Sequence, residues 1–157
     1  LEMFKLQAKV FALHIPYRGS GPALTDLMGG QVNYCFETMT AATPHVKGGK
    51  AVALAQTRLK RAKSYPNVPT MDEAGLPGFE ATTWYGLAGP GKMPAAMIKR
   101  MNEDLNKVLT MPDVQEKMDL YGAEDGGGSV EKFVGFIESE QKKWRQVAQQ
   151  AKVRADA

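Results

Sequence analysis

A chain of 157 residues, 43% apolar and 24% charged, is long enough for one domain or slightly more than one small one, with a core hiding roughly 70% of the unfolded chain's surface. Its 16 glycines, 9 prolines and 8% aromatic residues exclude a collagenous, low-complexity or disordered chain, and no run approaches the ~20 apolar residues of a membrane-spanning helix. A single cysteine, Cys35, excludes an internal disulfide framework and an all-cysteine metal site, while a net charge of +3 does not by itself support a nucleic-acid partner.

The opening Leu1-Glu2-Met3-Phe4 carries no signal peptide and starts inside a helix-like apolar pattern (Met3, Phe4, Leu6, Val10) with no capping residue before it. The expectation is that residues are missing upstream. Phe11-Ala-Leu-His-Ile-Pro-Tyr17 reads as a buried strand ended by Pro16. In Arg18-Gly-Ser-Gly-Pro22, Ser20 or Gly21 suits a helix cap and Pro22 the first helical position. Ala23 to Met28 is then a short helix closed by Gly29-Gly30. Gln31-Val-Asn-Tyr-Cys-Phe36 alternates as a strand. Met39 to Val46 is a second short helix, broken at Pro44 and stopped by Gly48-Gly49, and Ala51-Val-Ala-Leu-Ala-Gln56 is a third buried strand. This β-α-β-α-β rhythm favours a parallel sheet with helices on its faces.

Between Lys47 and Lys63 stand six bases and no acid, which is either a solvated flank or a docking surface for an acidic partner. Ser64 to Thr70 is loop. Thr70 with Glu73 three residues later forms a capping box, and Phe79 to Ala88 is another strand candidate centred on Trp84 and Tyr85. Past Gly89-Pro-Gly91 the chain becomes helical: Pro94 to Leu109 with Met97, Met101, Leu105 and Val108 on one stripe, Met111-Pro112 to about Tyr121, and Val130 to Val153 with Phe133, Ile137, Trp144 and Val147 on one side. Ala123 to Gly128 is a short extended segment and loop. The composition shifts near Trp84 to Gly91, and no internal repeat is found.

The Gly19-Ser-Gly-Pro22 turn between a strand and a helix is the most informative local feature. Glycines admit a ligand close to the backbone, and the free N–H groups of a first helical turn favour an anion such as a carboxylate or phosphate. The pattern is neither a Walker loop nor a full G-x-G-x-x-G fingerprint, and a plain tight turn would look the same. Glu37 follows the next strand; in an open α/β sheet both positions lie at strand carboxyl ends, where ligands bind. Glu37 could receive an ammonium group or orient waters, or be a solvated loop acid. His14 and His45 do not form a metal set with Cys35, and His14 reads as a hydrogen-bonded strand residue. Ser20 lacks a nucleophile elbow, Cys35 reads as a small buried side chain, and Trp84-Tyr85 as core packing or a cleft wall. No general base for catalysis stands out near Ser20.

His14-Ile-Pro-Tyr-Arg-Gly-Ser-Gly-Pro-Ala-Leu-Thr-Asp-Leu-Met-Gly-Gly-Gln31 resembles the signature of the periplasmic solute-binding receptors of tripartite tricarboxylate transporters, the Bug family. The resemblance continues through Pro44 to Lys50, Ala53 to Thr57, Pro66 to Phe79 and Trp84 to Leu87, and covers nearly the whole chain. It implies an α/β, periplasmic-binding-protein type II fold, of which this chain carries the C-terminal half: an incomplete two-lobe architecture. Residues 1–83 would be the inserted, three-layer sheet lobe, N-terminally truncated, and residues 84–157 the crossing strand and C-terminal helices of the first lobe. The implied function is capture of small carboxylates (di- or tricarboxylates or amino acids) for delivery to membrane transporter subunits in the periplasm, with no cofactor, no metal, no nucleic acid and no catalysis. The implied ligand-binding residues are Gly19, Ser20, Gly21, Pro22, Ala23, Glu37 and Thr38; the family commonly has Asp where Glu37 stands. Without the other lobe's sheet, the C-terminal helical stripes need other cover, and a homodimer through them is an expectation. An oligomerising fragment without ligand and, behind it, a small α/β enzyme are the alternatives.

Overall fold

The computed structural model describes residues 1–124 and 126–153; Asp125, inside the expected Ala123–Gly128 segment, lies outside them. Among the described residues six helices follow in chain order: α1 (Glu2–Ala8), α2 (Ser20–Met28), α3 (Met39–Lys47), α4 (Ala95–Leu109), α5 (Pro112–Tyr121) and α6 (Val130–Gln150). Their ends follow local chemistry. Thr38 Oγ1 accepts from the Ala41 N–H at the start of α3, and Ser129 Oγ from the Lys132 N–H at the start of α6. Pro112 opens α5, and Gly122 closes it with a left-handed φ of 66°. His45 and Lys47 sit in the last turn of α3, where cations suit the helix dipole.

Three local expectations are corrected. The cap of α2 is Gly19, not Ser20 or Gly21, so the helix starts three residues earlier than Ala23 and Pro22 stands in its first turn rather than at its first position. Pro44 does not break α3; it removes one donor from an otherwise well-capped helix. The last helix stops at Gln150 rather than Val153.

The segments read as strands form no ladder. Among the described residues the only β pairing is a single parallel bridge between Gln56 and Thr70, closed by Gln56 N–H to Pro69 O and Met71 N–H to Gln56 O, both 2.8 Å. The sequence supplies strand-forming residues, but a strand exists only against a partner, and Phe11–Tyr17, Gln31–Phe36, Ala51–Ala55 and Phe79–Ala88 have none here. Many of their apolar side chains stay in water: Phe11 is 90% exposed, Val52 81% and Tyr85 91%, although Phe79 is buried.

The chain divides into two units, Leu1–Thr83 and Trp84 onward. In the first, Met3, Leu24, Ala62 and Phe79 are buried along with Gln56 and Thr70. Phe4, Tyr34 and Phe36 form a separate ring cluster with centroids 5.8–6.3 Å apart. In the second, Trp84 stands edge-on to Phe133 and Phe136, at 5.9 and 5.4 Å. Asn106 accepts from the Gly128 N–H at 2.7 Å, and Asn102 and Asn106 both donate to the Gly128 carbonyl, which ties the loop before α6 to α4. The only residue buried there among those described is Glu140.

The expected burial is not reached. The chain exposes 11772 Å², against roughly 7,800 Å² for a folded monomer of this mass and roughly 9,400 Å² for two independent units of half the mass. About half of the unfolded chain's surface is hidden, not 70%. The α4 stripe shares in this: Met97, Met101, Leu105 and Val108 are 39–52% exposed.

Candidate functional site

The seven candidate residues fall at two helix N-termini of the first unit. Gly19, Ser20, Gly21, Pro22 and Ala23 make the cap and first turn of α2. Gly19 has φ 105° and ψ 175°, a conformation that side chains with a Cβ avoid. No side chain caps this turn, and a Cβ built on Gly19 or Gly21 would meet only open space. Pro22 brings no N–H. The turn therefore offers the amides of Ser20 and Gly21, on an exposed surface, to an acceptor from outside the helix. Two contacts hold it in place: the Tyr17 hydroxyl donates to Asp26 Oδ2 at 2.7 Å, and the Thr25 hydroxyl to the Gly21 carbonyl at 3.0 Å. The first of these pushes the Tyr17 hydroxyl's pKa above its ordinary value.

Glu37 and Thr38 make the other terminus, and it is occupied. Thr38 Oγ1 caps Ala41, and Glu37 Oε1 accepts from the Thr38 N–H at 2.7 Å. A carboxylate of the chain's own thus sits at the start of α3, where the dipole favours it. The two termini present opposite chemistry: α2 offers uncapped donors, α3 a negatively charged acceptor. A dicarboxylate suits the first; an ammonium group or a bridging water suits the second.

The remaining candidates carry no chemistry of this kind. His14 is exposed and faces Glu2, Nδ1 to Oε1 3.7 Å, rather than bonding within a strand. Burial, and secondarily Glu37, pushes the Cys35 thiol's pKa up, away from nucleophilic thiolate. In the basic run, Arg61 is spent internally: its guanidinium donates to Glu73 Oε2 and the Pro66 carbonyl, both 2.8 Å. No group of three or more potential metal ligands occurs among the described residues, and no described helix is long and apolar enough to cross a membrane.

Sequence reasoning missed Gln56. Its side chain is a buried staple: Nε2 donates to the Tyr65 and Val68 carbonyls at 2.8 and 2.7 Å, and Oε1 accepts from the Ala62 N–H at 2.8 Å. The signal was available in a polar residue ending an apolar run just before a loop, since such an amide can serve several backbone groups at once.

One family model, that of the tripartite tricarboxylate transporter family receptor, matches residues 1–153. The UPF0065 protein in the tcbD-tcbE intergenic region of Pseudomonas sp. (strain P51) is 36% identical over 151 residues, 96% of this chain and 45% of that protein. Among solved structures, R. palustris Rpa4515 with adipate has a TM-score of 0.85 at 33% identity, over 96% of this chain and 50% of the other. The periplasmic binding protein BugD has a TM-score of 0.82 at 32% identity, over 99% and 52%. The chain spans about half the length of these relatives, and its fold is that of half a periplasmic binding protein.

Proposed function

The chain belongs to the tripartite tricarboxylate transporter receptor family, a family of receptors and not of enzymes, and from that premise we propose that it is the carboxylate-holding part of such a receptor. It works in the periplasm and hands its ligand to the membrane subunits of a tripartite transporter. Residues 1–83 are the ligand-holding lobe, and residues 84–157 contribute the C-terminal helices of the other. One carboxylate of a small organic anion lies against the first turn of α2, on the amides of Ser20 and Gly21, with Gly19 giving access and Pro22 and Ala23 shaping the turn. Thr38 and Glu37 contact the ligand's far end, Glu37 through a water or an ammonium group. The observation that carries this reading is the uncapped start of α2 with Gly19 at φ 105°, in a chain similar to a protein solved with adipate.

Isothermal titration with adipate, succinate and glutamate tests it. The expected result is binding that Gly19→Val weakens at least about tenfold, the loss of one charge-assisted contact. Unchanged affinity in that variant refutes the assignment. Glu37→Gln separates ligand classes: it leaves a dicarboxylate's affinity equal or better and weakens an amino acid, whose ammonium loses its counter-charge.

The exposed α4 stripe supports a second reading, in which two copies pair through the C-terminal helices and no ligand is held. Native mass spectrometry distinguishes the two. A dimer indifferent to Gly19→Val and to every added carboxylate favours pairing alone.

A further inference from the structure

By its own residues, the turn that opens α2 should be loose. Gly19 and Gly21 stand on either side of Ser20, and glycine loses more conformational freedom on ordering than any other residue. No side chain caps the helix, so nothing within the turn holds its first amides. At nine residues, α2 is too short to persist on propensity alone. A ligand meeting such a turn would lose affinity to the cost of ordering it.

Asp26 meets that need. It is the only charged residue of α2 and lies in its last turn, where the negative end of the dipole disfavours a carboxylate. What it gains there is Tyr17, whose hydroxyl donates to Oδ2 at 2.7 Å, a short bond to a charged acceptor between two half-buried side chains. The bond closes a loop over the whole of Gly19 to Pro22. Both ends of that loop are restrained: Tyr17 by Pro16 before it, whose ring fixes φ, and Asp26 by the helix and by Leu24, which is 5% exposed. Inside the loop, the Thr25 hydroxyl holds the Gly21 carbonyl at 3.0 Å. The Tyr17 hydroxyl's pKa, raised first by this same bond, keeps the proton on Tyr17 and the bond in one sense.

We propose that Tyr17 and Asp26 are positioning residues that hold the Ser20 and Gly21 amides ready for a ligand. They do from outside the turn what a capping side chain does from within it, and they leave the amides themselves uncovered. This deepens the receptor reading and rests on it for the use of those amides.

Isothermal titration with adipate and backbone 15N relaxation on the same samples test it. Tyr17→Phe keeps the ring and removes the donor. Adipate affinity is expected to fall about tenfold, because only molecules with an ordered turn bind, and order parameters at Ser20 and Gly21 to drop from about 0.85 to below about 0.6. Asp26→Ala should do the same, and the two changes together should be no worse than either alone. Asp26→Asn, which keeps an acceptor oxygen, should stay within about twofold of the unaltered chain. Tyr65→Phe is the control for stability: it deletes a like bond of the same unit, to Thr43 Oγ1 at 2.9 Å, and should change neither adipate binding nor the Ser20 and Gly21 amides. Additive losses in the double variant, an equal loss in Tyr65→Phe, or a turn left rigid in Tyr17→Phe overturns the proposal. The two ideas fail separately. An unaltered chain that ignores adipate, yet loosens at Ser20 and Gly21 in Tyr17→Phe, removes the receptor reading and leaves the clasp. Adipate binding that Gly19→Val weakens and Tyr17→Phe does not removes the clasp alone.

Discussion

Two stretches of the first unit, both rich in apolar residues, end in opposite states. From Gln56 to Phe79 the chain closes on itself: Thr70 is fully buried, Ala62 and Phe79 are 2% exposed, Gln56 bonds the loop's backbone from inside, and Arg61 and Glu73 bond it from the surface. From Phe11 to Ile15, and again from Ala51 to Ala55, apolar side chains stand in water. Apolar content does not separate the two. The first stretch finds its partners within about twenty residues of sequence, at little loop-closure cost. The second has strand chemistry, and strand chemistry needs a neighbouring backbone from elsewhere in the fold.

The sharpest way to break that contrast is to truncate one aromatic residue in each stretch. Phe79→Ala should cost about 3–5 kcal/mol in urea unfolding followed by circular dichroism. Phe11→Ala should change stability by less than about 0.5 kcal/mol. Equal costs would mean that Phe11 is covered in solution. Next in size is Gln56→Leu, which preserves bulk but strands the Ala62 N–H and the Tyr65 and Val68 carbonyls. Buried groups left unsatisfied cost ~1–3 kcal/mol apiece, less wherever water reaches them, so the net loss should be about 3 kcal/mol, with hydrogen exchange at Ala62 accelerated. A loss below about 1 kcal/mol would show that the loop holds without its staple.

The same distinction decides what was legible in the sequence. Helices α3, α4 and α5 lie within about one residue of their expected bounds because their signals are local, Pro112 at a start and Gly48-Gly49 at an end, whereas α2 begins three residues before Ala23 and α6 ends three before Val153. The Thr70–Glu73 box was readable for the same reason, and it forms in both directions, Thr70 N–H to Glu73 Oε2 at 2.8 Å and Glu73 N–H to Thr70 Oγ1 at 3.1 Å. Gly19-Ser20-Gly21 could be identified as an open turn, though its cap was misplaced by a residue, because glycine and serine are both acceptable caps. Strand pairing was not readable, since alternation reports a face and not a partner. Nor was burial: Gln56 and Glu140 are polar residues made interior by hydrogen bonds that no periodicity encodes.

Smaller perturbations sharpen the comparison within the closed stretch. Thr70→Ala removes the cap hydroxyl on Glu73 and should cost about 1 kcal/mol, read as a shift in the urea midpoint at constant slope. The smallest effect is the titration of Glu73. Its carboxyl is held below the ordinary glutamate range, first by the Arg61 guanidinium and then by the Thr70 N–H. A folded-state pKa below the unfolded one means that the ionised form favours folding: the contribution is complete above about pH 4.3 and disappears as pH falls through the lower folded value. Stability should therefore decline on acidification below that point, and Glu73→Gln should flatten the decline. Because this pair is exposed, 0.5 M salt should shrink the difference between the two proteins. Glu140, also held low although burial pushes its carboxyl up, because donors from Lys143 and Trp144 outweigh that burial, should give the second unit an acid limb of the same sign, followed by Trp fluorescence. There the salt dependence should be weaker, since a buried carboxylate with its donors in contact is screened less. An acid limb equally salt-sensitive in both units would mean that Glu140 is as exposed to water as Glu73, and that its hold on the Trp144 indole is loose.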